Sequence, residues 1–316
     1  MAIKSYKGFD KNLRCRGFQY KIGGIYEMDG KIKMRNRGFH ACESPFDVFD
    51  YYTMIDSRFC EVEQDGNISK WDRGTKICSS KIKIKAELKL ADMINLGVEW
   101  LKEITSPEKI KTSIKDNSSG NYAKIGSSGD EAQIGSSGYG AKIGSSGHGA
   151  QIGSSGNNAQ IGSSGYGAKI GSSGYGAKIG SSGNYAKIGS SGNDAKIGSS
   201  GNDAQIGSSG NNAQIGSSGD GAKIGSSSDG AKISSSGYGA KIDSTGEDCV
   251  IMCAGINSVA KASKGSWVTL SEWSYSEEKQ RYIPICVKTE FVDGEKIKAD
   301  TYYSLKGGVF VEWIND

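Results

Sequence analysis

No stretch of this 316-residue chain approaches the run of about 18 apolar residues that a membrane-spanning helix requires, which excludes a helical membrane protein. The opening residues, MAIKSYKGFDKNLRCRGFQY, also lack the apolar centre of a secretion signal, so a soluble protein outside the general export route is expected. Charge of one sign is missing as well: 39 Lys and Arg stand against 35 Asp and Glu, a formal net charge of +4. An excess that small gives no argument for nucleic acid or membrane by itself, and any electrostatic reading has to be local. Seven cysteines (Cys15, Cys42, Cys60, Cys78, Cys249, Cys253, Cys286) are odd in number, scattered and mostly set in apolar stretches, as reduced core thiols are. Cys249 and Cys253 have neither a second cysteine pair nor a nearby histidine to complete four ligands, and no metal or other cofactor is expected. Proline is nearly absent too, 3 residues against 47 glycines, which is far from ordinary domain composition and marks a periodic segment.

Composition divides the chain into three. Residues 1–110 read as a small α+β domain: KIKM (31–34) and KIKIKAELKL (81–90) alternate as strands do, while SPFDVFDYY (44–52) starts a short helix with Ser44 at the N-cap and Pro45 at the first helical position. A second helix is predicted over 91–104, with Met93, Ile94, Leu96, Val98, Trp100 and Leu101 available to one face. Residues 111–257 hold the periodic segment. Residues 258–316 read as β-hairpins, with a turn at Asp293-Gly294 and with Trp267, Trp273 and Trp313 available for a compact core.

Between 114 and 248 a nine-residue unit recurs. Fourteen consecutive copies, from AKIGSSG at 123–129 to AKIDSTG at 240–246, keep Ala at the first position and Ile at the third, with two variable residues after each seven. Degenerate copies flank them, IKDNSSG at 114–120 and CVIMCAG at 249–255, and the register is expected to run on through 258–267. A flexible Gly-Ser linker does not hold Ile in one register over so many copies, whereas a buried ladder must. In an extended strand residues two apart share a face, so Ala and Ile point inward and the Lys or Gln between them outward. Nine residues cannot close a coil around a core; two repeats can, with one strand on each face and a Gly-Ser turn at each edge. The predicted fold class is mainly β: a two-sheet β-solenoid of 18-residue coils, capped by the N-terminal α+β domain and a C-terminal β-hairpin domain. Gly at the seventh position, and often the ninth, is expected to supply the positive φ of a tight turn. Seven coils at about 4.8 Å each give a rod of about 34 Å whose open ends need covering.

If successive repeats alternate faces, one face stacks Lys124, Lys142, Gln160, Lys178, Lys196, Gln214 and Lys232, and the other stacks Gln133, Gln151, Lys169, Lys187, Gln205, Lys223 and Lys241. Lysines at coil spacing either track phosphates or an acidic protein surface, or keep a flat sheet soluble and unpaired, the commoner use of lysine on exposed β surfaces. Specificity would sit in the variable pair, where Tyr139, Tyr166, Tyr175, Tyr185 and Tyr238 line the edges among Asn and Asp. Tyrosine favours binding hot spots, and it also packs on its own neighbours. Tyr166 and Tyr185 fall on adjacent coils of one edge as a small aromatic ridge. Acids occur in only some repeats (Asp194, Asp203, Asp220), which argues against a calcium-binding roll; Thr245 is the one threonine of the array, which argues against ice binding; and the basic or neutral faces argue against DNA mimicry.

The AKIGSSG-type strings, with CRGFQ (15–19), RGFHAC (37–42) and FCEVEQDG (59–66) upstream, resemble a group of uncharacterised phage and prophage proteins in which a domain of unknown function precedes such repeats in varying number. The resemblance covers nearly the whole chain and implies a source more than an activity. Residues 38–52, Gly-Phe-His followed by a helix ending in Tyr-Tyr, also resemble the segment of ADP-ribosyltransferase-type folds that frames a nicotinamide pocket. That likeness implies His40 near the cofactor and Glu61 or Glu63 as the catalytic acid. The Ser-Thr-Ser strand of those folds is missing here, and an isolated histidine is more often structural.

The function expected from these readings is a non-enzymatic phage or prophage protein that acts in the host cytoplasm. It would inhibit a host antiviral defence complex, as anti-CRISPR proteins do, binding through Lys124, Lys142, Lys178, Lys196, Lys232 and the five tyrosines. Nucleic acid is a second partner class through the lysine rows, exposed sheet faces permit self-association, and no membrane partner is expected. A tail-fibre or adhesin component of the virion and a transferase in the N-terminal domain are the alternatives.

Overall fold

The computed structural model describes residues 2–71, 74–104 and 120–314, and the chain divides into two compact units, Met1–Trp100 and Leu101–Asp316. The first unit contains β1 (Ile3–Phe9), β2 (Arg14–Cys15), β3 (Phe18–Gln19), β4 (Ile25–Glu27), β5 (Phe39–Cys42), α1 (Pro45–Val48), β6 (Arg58–Lys70) and β7 (Lys76–Leu88), and α2 (Leu90–Ile104) begins in it. Strands β6 and β7 form a long hairpin, and the remaining pairings turn it into a ring: β7 with β5, β5 with β1, β1 with β6. Closure is narrow, since β1 meets β5 through the one pair Tyr6 and Cys42, but it joins the two ends of the sheet. Phe39, Ala41, Val62, Ile82 and Ile84 pack inside. Gln64 is buried with them and fully engaged: its Oε1 accepts from Ser5 Oγ (2.9 Å), and its Nε2 donates to Phe39 O (2.9 Å) and Ser79 Oγ (3.1 Å).

Both predicted helices are present. Ser44 has the extended conformation of an N-cap and Pro45 opens the helix, but the Ser44 hydroxyl makes no capping bond and α1 ends after a single turn. On α2 Met93, Ile94 and Val98 are buried on one side, and Gly97 lets the ring of Phe46 lie against the helix, because a Cβ there would stand 2.4 Å from it.

In the second unit each repeat contributes one four-residue strand, from β8 (Lys124–Ser127) to β23 (Val259–Ala262), alternately to two parallel sheets. Two strands make a coil, and the sixteen strands give eight coils, about 38 Å at 4.8 Å per coil. Register is uniform: Ile143 lies between Ile125 and Ile161, and Ile152 between Ile134 and Ile170. It continues as expected beyond the last consensus copy through β22 (Val250–Cys253) and β23, but not to Trp267, which pairs with Val250 one residue short of the eighteen-residue period. The Ile and Ala rows form one buried spine, and each Ile contributes roughly 1.5–3 kcal/mol by leaving water. Serines at the fifth position also turn inward, and most of their hydroxyls have no protein hydrogen-bond partner among the described residues.

Two glycine roles assigned together from the sequence are separate in the structure. The ninth position alone carries the positive φ, and it accepts Gly140, Asn158, Tyr185, Asp194 and Asp203 equally, between 55° and 64°. The seventh position is glycine because the turns stack in backbone contact: a Cβ on Gly183 would stand 2.0 Å from Gly165 O, and one on Gly147 1.9 Å from Gly129 O.

At the C-terminal end β24 (Trp267–Ser276) adds in parallel to β22, and β25 (Arg281–Phe291) returns antiparallel along it. On the other sheet β26 (Tyr303–Lys306) and β27 (Val309–Glu312) form a second hairpin, so each sheet has ten strands. The exposed edge at β25 is blunted by a bulge at Glu272/Trp273 and by Pro284, which has no N–H to offer. The expected tryptophan core does not form. Because β24 continues the sheet, Trp267 inherits the outward position of the lysine row and is 49 % exposed against Phe291, while Trp273 donates to Ala254 O (3.1 Å) and Trp313 meets Tyr302 edge to face. Val268, Leu270, Val292, Ile297, Tyr303 and Leu305 close the core instead. The degenerate copy at 114–120 lies, except for Gly120, outside the described residues, as does the segment 105–119 that leads into the first coil.

Candidate functional site

Alternation along the strand gives the first sheet an outer face built from only two positions, the lysine or glutamine and the glycine after the isoleucine. Lys124, Lys142, Lys178, Lys196 and Lys232 are all exposed on it, as expected. Beside them run Gly126, Gly144, Gly162, Gly180 and Gly198, whose missing side chains would meet nothing within 4 Å. The result is a straight trough of about 1300 Å³ with a backbone floor and a lysine wall, and no acidic residue lines it. Glutamines 160 and 214 interrupt the row so that three lysines never stack consecutively. At coil spacing each lysine pair repels by about 1 kcal/mol in water, tolerable for pairs but cumulative for a longer run. The trough ends on exposed Val250, Met252 and Trp267, where the face turns apolar.

The second row differs from the first, although the repeats are the same. Gln151, Lys169, Gln205, Lys223 and Lys241 are half-buried and Lys187 is buried, against the expectation that both rows stand in solvent. Identical repeats carry no information on which face is left open. Lys241 shows one cause, since its Nζ sits over the rings of Tyr302 (4.1 Å) and Trp313 (4.3 Å) from the C-terminal hairpin.

At the edges the variable pair is a stacking device. The side-chain oxygen of Asn or Asp at the eighth position accepts the backbone N–H of the same position one coil on, as in Asn193 to Asn211 (2.9 Å) and Asp220 to Tyr238 (2.8 Å). Four of the tyrosine hydroxyls reach the next coil as well. Tyr139 and Tyr238 hydroxyls accept from Asn158 and Asn257 Nδ2 (2.9 Å each), while Tyr175 and Tyr185 bond Asp194 and Asp203, which raises both phenol pKa values. The ridge placed at Tyr166 and Tyr185 is present, with ring centroids 5.1 Å apart. All five rings remain about half exposed. Asn193→Ala should lower the urea midpoint by an amount worth roughly 0.5–1.5 kcal/mol, because it removes the acceptor of the Asn211 N–H.

His40, Glu61 and Glu63 are not brought together. His40 lines a cavity in the first unit that neither glutamate lines. Its Nε2 accepts the Arg35 N–H (3.0 Å), and a bond with the Gly38 backbone engages the ring as well. Burial, with Lys76 and Lys7 adding to it, lowers its pKa to about 4, so the ring is neutral at pH 7. Glu61 stands on β6, two strands from β5 and about 10 Å away at ordinary strand spacing, paired to Lys4 (2.8 Å); Glu63 is paired to Lys85 (2.8 Å). Lys7 and Lys76, which also line the cavity, carry no periodic or motif signal and were not singled out from the sequence, and Cys15 was read only as a reduced thiol and as the start of the CRGFQ string.

Comparison with curated proteins and with solved structures finds no match to the chain. Within the first unit, residues 3–96 match a family described as a domain of unknown function (DUF7666).

Proposed function

We propose that this chain is a non-enzymatic binding protein, of phage or prophage origin, that holds an acidic face of a host protein complex against the lysine-walled trough of its first sheet. The observation that carries this reading is the row of five exposed lysines, spaced by two glutamines, beside a glycine floor with no acid among its lining residues. A side-chain-free floor lets a partner approach the sheet backbone closely, and the row supplies charge complementarity along the solenoid axis. Val250, Met252 and Trp267 offer the apolar anchor that a charged strip lacks. A host antiviral defence complex in the host cytoplasm is the partner class that the phage-like repeats suggest. The transferase reading draws no support from the geometry, since both candidate acids are ion-paired outside the cavity that His40 lines.

The test compares the chain with a variant carrying Glu at Lys124, Lys142, Lys178, Lys196 and Lys232. Affinity capture from infected-host lysate should recover a stoichiometric protein complex with the parent and lose it, by at least 100-fold in affinity, with the variant, while both melt at the same temperature. Retention of the partner by the variant, no stoichiometric partner at all, or recovery of the chain in purified virions would each remove the proposal.

A further inference from the structure

The cavity in the first unit has a volume of about 860 Å³, within the range of small-molecule sites. Lys7 lines it. This side chain leaves the middle of β1 and is 5 % exposed, and its Nζ donates to His40 O (2.9 Å) and Cys15 Sγ (3.5 Å). No carboxylate is paired with it among the described residues, and a buried ammonium without a counter-charge is among the costliest arrangements a fold can hold. Burial is the largest influence on the amine and lowers its pKa; Arg16 acts in the same direction, and Cys15 and Cys42 pull against it. A neutral amine fits the geometry: its two N–H groups match the two acceptors present, and the nitrogen lone pair is left over.

The surroundings select the rest of a ligand. Arg16, Arg35 and Lys76 line the same cavity; Arg35 lies over Trp71 (3.8 Å) and Lys76 over Tyr51 (3.8 Å), neither of which neutralises charge. The acid on the lining, Glu27, is paired to Lys81 (3.3 Å), and Asp47 nearby accepts from Thr75 Oγ1 (2.9 Å). Phe18, Tyr20 and Tyr26 form an edge-to-face aromatic wall, with centroids 4.8 to 5.4 Å apart. The Tyr52 hydroxyl, which donates to Cys15 Sγ (3.0 Å), reaches its place because Gly8 has no Cβ to strike the Tyr52 ring.

We propose that this cavity takes a small planar carbonyl compound bearing an anionic group and that Lys7 Nζ anchors it as an imine. The amine lone pair forms the C–N bond, the carbonyl π pair moves to oxygen, the nitrogen protons pass to that oxygen, and one water leaves as C=N forms. No electrons are gained or lost overall. The anionic group is held by Arg16, Arg35 and Lys76, and Tyr52 is the hydroxyl at hand to carry a proton.

The test uses the full chain at pH 7 with pyridoxal 5′-phosphate as the probe, an aromatic aldehyde carrying a phosphate. Borohydride reduction and peptide mapping by mass spectrometry then locate the adduct. An ordinary lysine is neutral in roughly one part in 2,500 at this pH, so solvent-exposed lysines react slowly. Lys7 should carry at least ten times the occupancy of Lys142, and pyridoxine 5′-phosphate, which has the phosphate but no aldehyde, should protect it. Lys7→Met should remove the adduct; should that variant fail to melt cooperatively, Arg16→Ala with Lys76→Ala should cut labelling at Lys7 at least fivefold. Labelling of Lys7 no greater than that of Lys142, or unaffected by the protecting phosphate, overturns the proposal.

Discussion

Ile188→Asp is expected to destabilise the solenoid by more than about 4 kcal/mol. Ile188 is fully buried between Ile170 and Ile206 in a core only two side chains deep. The substitution removes the isoleucine's transfer energy, leaves a void and places a carboxylate in an apolar spine, where the inward serine hydroxyls do not replace the water the charge loses. Coils contact only their neighbours, so the damage cannot be shared across a large core and should open the stack at that coil. Circular dichroism during heating should show a large fall in the melting temperature, whereas Ile188→Val at the same site should cost only about 0.5–1.5 kcal/mol. An aspartate variant that melts with the parent would refute the buried spine and all that is built on it.

The second large effect comes from a pair of glycines three residues apart. Gly183→Ala places a methyl group 2.0 Å from the Gly165 carbonyl oxygen, a backbone atom that cannot move without changing the stacking distance, and should cost roughly 3 kcal/mol or more. Gly180→Ala places the same group in open space on the trough floor, at a position without positive φ, and should be neutral or stabilising by about 0.5–1 kcal/mol. Urea denaturation of the two variants separates close approach from chain flexibility as the reason for glycine. Equal effects would show that the turns are not in backbone contact.

The spine was legible because burial repeats: Ala and Ile recur every nine residues, and only a stacked pair of sheets uses that period. The lysine row followed from the same alternation. What the period could not show is anything that breaks its symmetry. Gly183 and Gly176 look alike in sequence, yet one is fixed by a neighbouring carbonyl and the other by its own φ of 65°. Lys178 and Lys187 occupy the same repeat position, yet one is exposed and the other buried. The tryptophans misled because they were read as a core for a separate domain, whereas the hairpins prolong the sheets and so take their inward and outward positions from the coils before them. The first unit was legible as helices and strands, but its cavity joins Lys7, Cys15, His40 and Lys76 from four separate segments, and ring closure that links distant strands has no local signature.

Alternation of repeats between two sheets imposes a parity rule on change in array length. Gain or loss of eighteen residues, a pair of repeats, adds or removes about 4.8 Å and returns every later strand to its own side. Gain or loss of nine would transfer each downstream strand across the solenoid, carrying Trp267 and its hairpin to the sheet that now receives Tyr303. Each hairpin keeps its own neighbour in either case, β24 on β22 and β26 on β23. An odd step instead exchanges the two sides of the rod beyond the point of change, so that the exposed lysine row runs on into positions of the half-buried one.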